Sequence, residues 1–244
     1  MIDALAAAVF LLPSEDSPAP TPTPTATTEP ASKKQAVKKA PPMKQVYAGK
    51  AKIRKGMQGN SVLRIQTQLN GIGKPAPRNG VFDKATVKAY KSYQEKFGFW
   101  PTGNVTQKQS LKLKKLYGNG RIPPICKRGK VLCIDKTQLV LRLMVKGEQK
   151  LVTDVRFGAE QTPTRNGKHR VHSKIRYLIS DLAGTPMPYS VFFSGGQAVH
   201  YSPGFHRDGY NGASLGCVNV RVLKDAREVY QRTPVGTTVY VYRS

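Results

Sequence analysis

Acidic residues are scarce in this 244-residue chain: 14 Asp and Glu stand against 40 Lys and Arg, a net charge of +26 with histidine neutral. No run of about 18 apolar residues occurs, which excludes a spanning helix. Three cysteines cannot build a disulfide framework, and the lack of any CxxC pair excludes a zinc finger of that kind. Hydrophobic residues make up 39%, below the roughly 45–50% of a typical globular chain, so part of the length is expected to stay unpacked. At roughly 100–200 residues per domain, the length allows one or two domains.

What is present is unevenly distributed. Ala4–Leu12 is a nine-residue apolar run of secretory h-region length. Asp3 precedes it instead of a Lys or Arg, and no Ala-x-Ala site follows, so residues 1–15 read as a truncated signal segment. Residues 16–55 read as a disordered linker, first Pro/Thr-rich and then Lys-rich. Its second part, residues 33–55, carries nine bases and no acid, a block that stays solvated and is drawn to polyanions. No basic-aromatic recognition motif accompanies it, so no specific nucleic-acid partner is expected.

Residues 56–118 carry helical periodicity. Asn60 or Ser61 offers a cap before Val62, Ile65 and Leu69, and Gly71, Gly73 and Pro75 stop the helix. Asp83 offers a second cap, ahead of the stripe Ala89, Tyr90, Tyr93 and Phe97, which is read as core packing. Trp100, between Phe99 and Pro101, is expected to pack locally rather than stack on a sugar.

Residues 126–244 alternate with period two. Leu139–Val145 and Leu151–Phe157 flank the turn Gly147-Glu148, and Thr237–Tyr242 reads as a terminal strand. One helix is expected near Leu223–Gln231. The segment is therefore mostly β.

A cysteine nucleophile needs access, a base for its proton and donors for an oxyanion, because a free thiol of pKa about 8.5 is only a few per cent ionised near neutrality. Cys217 follows Gly216 in Ser214-Leu215-Gly216-Cys217-Val218-Asn219, where the glycine lets the backbone approach a substrate. The base is one of His169, His172, His200 and His206. His200 ends the apolar run Tyr189–Val199 and is favoured over His206, which lies in a loop. His169-x-x-His172 has no further ligands near it in sequence, so no metal is expected. Cys126 and Cys133, seven apart, are either a disulfide in an exported protein or buried thiols.

Two resemblances sharpen these readings. Gly56-Met57-Gln58-Gly59, Ile65-Gln66, Leu69, Gly80-Val81-Phe82, Thr86, Ala89, Tyr90, Tyr93-Gln94 and Thr102-Gly103 resemble the three-helix bacterial peptidoglycan-binding domain, with Ile65-Gln66 and Tyr93-Gln94 as its internal repeat. His200-Tyr201-Ser202, then Ser214-x-Gly216-Cys217-Val218-Asn219, resemble the L,D-transpeptidase (YkuD-like) catalytic domain. Thr162–Gly167 and Met187–Phe193 match the segments upstream. The resemblances imply two domains: an all-α three-helix module over 56–118 and a mostly β, sandwich-like catalytic domain over 126–244.

By resemblance, Cys217 is the nucleophile, His200 the base, and the Gly216 and Cys217 N–H groups the oxyanion donors. Tyr189, Tyr201, Ser214 and Asn219 contact substrate. The implied reaction forms 3→3 cross-links between peptidoglycan stem peptides through an acyl-enzyme, without cofactor, in a carbapenem-sensitive, extracytoplasmic monomer that also meets anionic wall polymers. With water as acceptor the same site makes an L,D-carboxypeptidase or a phage-type lysin. One position departs from the family: Leu215 stands where it has histidine, which leaves a non-catalytic wall-binding protein as a further alternative.

Overall fold

The computed structural model describes residues 53–244. The expected signal segment, and the linker up to residue 52, lie outside the described residues.

Among the described residues three helices come first: α1 (Asn60–Gly71), α2 (Lys84–Lys96) and α3 (Gln107–Asn119). Helix α1 starts without a side-chain cap, since Gly59 holds its N-cap position, not Asn60 or Ser61. Asp83 does cap α2, accepting from Thr86 N at 2.7 Å. Helix α3 opens on a capping box between Thr106 and Gln109. Val62, Ile65, Leu69, Tyr90 and Tyr93 share one core with Phe82, Leu113 and Leu116. The repeated glutamines have a physical reason. Gln66 is buried, accepts from Gly80 N at 2.8 Å and donates to Val81 O and Thr86 Oγ1, each at 2.9 Å. Gln94 is buried in the same way, accepting from Gly103 N at 2.8 Å and donating to Asn104 O at 3.1 Å. Each amide ties a glycine turn to a helix and satisfies one N–H and one carbonyl of the loop.

A 3-10 turn (Pro124–Lys127) then leads into nine strands: β1 (Lys130–Asp135), β2 (Val140–Val145), β3 (Glu148–Arg156), β4 (Gly167–Arg170), β5 (Ser173–Ile175), β6 (Ser190–Ser194), β7 (Gln197–Tyr201), β8 (Val218–Val220) and β9 (Thr238–Tyr242). Helices α4 (Pro203–Asp208) and α5 (Leu223–Arg232) flank β8. The strands form one curled sheet in the order β4-β9-β1-β2-β3-β8-β7-β6-β5. The curl brings its ends together: His169 on β4 meets the Phe193 ring on β6 at 5.5 Å. Leu132, Ile134, Leu141, Leu143, Val155, Val199, Val218 and Val241 fill the enclosed core.

Neither face of β1–β2 is left to water. Val131, Cys133 and Met144 pack outward on the 3-10 turn, and Cys126 is disulfide-bonded to Cys133 with their Cα atoms 5.9 Å apart. Arg142, also outward, is fully buried against the helices and donates to Gly71 O at 2.9 Å. Next to it, Gln138 donates to Leu116 O at 2.8 Å. On β3, Asp154 receives the ammonium groups of both Lys74 and Lys96. Arg221 reaches Glu95 at 2.8 Å. The helices are thus seated on the outer face of β2 and β3 by buried polar bonds.

Candidate active site

The outer face of β3, β8 and β7 carries the candidate site. Strand β8 runs parallel to β7, which sets His200 opposite Asn219, and antiparallel to β3, which sets Arg156 opposite Asn219. Side chains repeat every second residue along a strand, so Cys217 shares the face of Asn219, and Ser202 that of His200. Arg156, Asn219 and His200 therefore stand abreast, with Val199, Val218 and Val220 turned to the core behind them. His200, Ser202, Cys217 and Asn219 line one cavity of ≈ 400 Å³ with Arg156, Arg207, Ser214 and Leu215.

The loop before Cys217 is held from within. Ser214 Oγ donates to Cys217 O at 2.6 Å and accepts from Gly216 N at 3.2 Å. The Gly216 N–H expected to serve as an oxyanion donor is thus already engaged by Ser214. Gly216 has φ of 107°, and a Cβ there would sit 2.5 Å from Gln197 Nε2. Gly216→Ala is accordingly expected to destabilise the protein by about 1–3 kcal/mol and to displace Cys217. A thermal melt together with thiol alkylation rates checks both effects, and an unchanged pair would show the loop to be more accommodating.

His200 is buried, and its Nδ1 lies 2.7 Å from Tyr201 O. A carbonyl only accepts, so Nδ1 carries the proton and Nε2 keeps a lone pair. Burial lowers the imidazole pKa to about 4, against the opposing pull of the Tyr201 carbonyl and the neighbouring Asn219 side chain. Asn219 Oδ1 is buried beside His200, and no other group bonds it. Burial also pushes the Cys217 thiol up, partly offset by the Ala198 backbone. Its Sγ also makes a long contact to Gly196 O, at 3.9 Å. The resting pair is therefore neutral imidazole and neutral thiol, not an ion pair.

The other histidines stand elsewhere. His206 is exposed, with Nδ1 3.2 Å from Arg221 O. His169 packs on Phe193, and His172 Nε2 lies 3.2 Å from Gly195 O. No group of three His, Cys, Asp or Glu placed to hold a metal occurs among the described residues. Ser214 and Asn219 reach the cavity, but Tyr189 and Tyr201 are not in its lining. Alternation along β7 turns Tyr201 away from the face of His200, and both tyrosines pack on the core. The Tyr189 ring meets that of Tyr230 at 5.8 Å, tilted by 58°. Trp100 does not pack locally as expected; it is 84% exposed.

Sequence reading missed two parts of the cavity. One is the wall built by Ser180, Ala183, Thr185 and Pro186, just ahead of the matched segment that begins at Met187. The other is Arg156, whose signal was its position as a lone charge between Val155 and Phe157. Leu215 lines the cavity and is 55% exposed.

Comparison with known proteins accounts for this architecture. Residues 129–241 match the family model of the L,D-transpeptidase catalytic domain (YkuD). The β segment is an L,D-transpeptidase catalytic domain. Residues 58–113 match the model of the peptidoglycan binding domain, which makes the helical segment its N-terminal companion. Among solved structures, the L,D-transpeptidase of Xylanimonas cellulosilytica is 25% identical over 78% of this chain and 97% of its own, with a TM-score of 0.51. The L,D-transpeptidase of Stackebrandtia nassauensis shares the fold at 22% identity and a TM-score of 0.54, over 78% of this chain and 94% of its own. No curated protein matches the chain. In this L,D-transpeptidase domain, the cavity over β3, β8 and β7 is the candidate active site.

Proposed function

We propose that this L,D-transpeptidase cross-links peptidoglycan stems through an acyl-enzyme on Cys217. One observation carries the reading: a neutral His200, its Nδ1–H fixed on a carbonyl and its Nε2 lone pair free, shares a sheet face and a cavity with a lone thiol. His200 Nε2 takes the thiol proton as Sγ attacks the carbonyl between the L-centre of the third stem residue and the terminal D-alanine. The C–S bond forms, and the C–N bond breaks as His200 returns that proton to the leaving amine. A side-chain amine of a second stem then attacks the thioester, giving up a proton to His200 Nε2, forms the 3→3 amide and releases the thiolate, which recovers that proton from the imidazolium. Backbone N–H groups at 216–217 stabilise the oxyanion once Gly216 N–H is released from Ser214. Carbapenems acylate the same sulfur. Leu215 makes the rim apolar where the family has an imidazole.

The helical segment and the basic linker hold the enzyme against the anionic wall and raise the local stem concentration. The chain acts outside the cytoplasm. The buried Cys126–Cys133 disulfide suits an oxidising compartment, and no helix among the described residues is long and apolar enough to cross a membrane.

Mass spectrometry of muropeptides after incubation with disaccharide-tetrapeptide tests the reading. A dimer lacking one D-alanine is expected. A lone tripeptide would make water the acceptor, hence a carboxypeptidase or lysin. No product from folded protein would favour a non-catalytic wall binder, with Leu215 the cause.

The pH profile is a second test. Because His200 is already neutral above about 4, kcat/KM should rise through about pH 4–5 and stay flat to about pH 8. An ion-paired site would instead give a bell centred between two shifted values. Stability follows the same group. Between pH 6.5 and 4 the unfolded chain binds a proton that folded His200 refuses, so its share of stability is present above 6.5 and lost as pH falls through that window.

A further inference from the structure

Arg156 brings a buried cation to the cavity, and the reaction steps above leave it idle. Only 9% of the residue is exposed. Its guanidinium lies 5.1 Å from the centre of the Phe205 ring. Nη1 donates to Gly209 O at 3.1 Å and Asn211 O at 3.3 Å, clamping the loop that leads to Cys217. The rest of the fork is unspent. Nε is buried without a partner, and Nη2 faces Gly204, a residue of the cavity wall, where even an added Cβ would stay 3.9 Å away. The acid whose charge reaches Arg156 is Asp208. Both oxygens of Asp208 are held by Arg207, at 2.7 and 2.8 Å. A desolvated guanidinium with donors to spare and no carboxylate of its own is a site for an anion, and its planar fork suits a carboxylate.

Position selects which carboxylate. Arg156 stands one strand from Asn219, about 5 Å, and Cys217 lies two residues along that strand, about 7 Å. A stem carbonyl on Cys217 Sγ with its leaving amine toward His200 Nε2 keeps its scissile bond over the row Arg156–Asn219–His200. The terminal carboxylate of the leaving residue lies one residue beyond that bond, about 3.5 Å. We propose that Arg156 binds the terminal carboxylate of the leaving D-amino acid and so makes the enzyme read the free end of the stem. This rests on the acyl-transfer reading above. A donor stem extended by a further residue, or amidated at its end, offers no charge at that place and leaves the cation unpaired.

The experiment compares two probes, the disaccharide-tetrapeptide ending in D-alanine and the same compound ending in D-alaninamide. Binding is measured calorimetrically with Cys217→Ala protein, so that no turnover intervenes. The acid is expected to bind about 10–100-fold tighter than the amide. Adding Arg156→Gln should reduce that preference to about 2-fold or less, and Arg156→Lys should leave an intermediate value. A structural clamp alone would weaken both probes equally, so equal binding of acid and amide by Cys217→Ala protein overturns the proposal. A preference that survives Arg156→Gln also overturns it. If Arg156→Gln does not fold, Arg156→Lys decides, and a preference unchanged from Arg156 sinks the idea. The reaction is judged apart, with Cys217 intact. Turnover of acid and amide at equal rates removes the carboxylate site and leaves the reaction. No turnover, together with an Arg156-dependent preference in binding, removes the reaction and leaves the site.

Discussion

Cys217→Ala is expected to lower product formation from a tetrapeptide stem by about 10³-fold or more while leaving the melting temperature within a degree or two. The sulfur contributes little to the fold, because it is partly exposed and its polar contacts are weak ones to the Ala198 backbone and, at 3.9 Å, to Gly196 O. What is lost is the covalent route. Burial has already pushed the thiol up, so ionisation depends on the neighbouring base, and alanine removes the proton donor and the nucleophile together. His200→Ala should cost about 10²–10⁴-fold through the same step. His206→Ala should cost nothing comparable, since His206 faces solvent and the Arg221 carbonyl. Muropeptide mass spectrometry on the three variants reads this directly. Residual cross-linking by Cys217→Ala at the parent rate would remove the cysteine from the reaction.

Asp154→Asn is expected to cost about 3–5 kcal/mol of stability, because it leaves two buried ammonium groups without a counter-charge. Lys74 and Lys96 are each only 3% exposed and both close on this one carboxylate. The two ammonium groups hold the Asp154 carboxyl below its ordinary range, against the effect of burial. Burial lowers Lys96 from its ordinary 10.5 to about 7. At about 2–4 °C per kcal/mol for a chain of this size, the melting temperature should fall by about 6–20 °C. The deficit should shrink as pH rises from 7 toward 10, because a lysine that sheds its proton tolerates burial. A variant that melts like the parent would show that the helices do not depend on this cluster. The same bonds bear on excision of the helical segment. Removing it would expose or orphan Arg142, Gln138 and Asp154, so loss of the segment is expected to weaken the catalytic domain itself as well as wall retention.

Local chemistry was legible in the order of residues. Asp83 before a helical pattern, Val62, Ile65 and Leu69 at helical spacing, and the alternation of β2 and β3 each follow from rules that act within a few residues. So does the placing of a glycine before Cys217, where φ is 107° and a neighbour leaves no room for a side chain. Resemblance to the L,D-transpeptidase domain supplied the pairing of His200 with Cys217, which lie 17 positions apart, and the structure puts both in one cavity by running β7 and β8 parallel. The two tyrosines expected at the substrate lie outside the cavity lining and pack on the core, Tyr201 because it sits one residue from His200 and a strand turns consecutive side chains to opposite faces.

Other features were not decided by local sequence. Whether Cys126 met Cys133 depended on the 3-10 turn folding back over β1. That Lys74 and Lys96, on one segment, would meet Asp154, far along on another, was decided by how the helices seat on the sheet. Arg156 joined the cavity because β3 pairs with β8 at Asn219, a register that its own neighbours Val155 and Phe157 do not encode. Charge, caps, periodicity and the identity of the reactive groups were set by the chain itself. Which of those groups share a cavity, and which cations are buried beside it, were set by strand register and by the packing of helices on the sheet, since only those bring residues 50 to 80 positions apart within reach of one another.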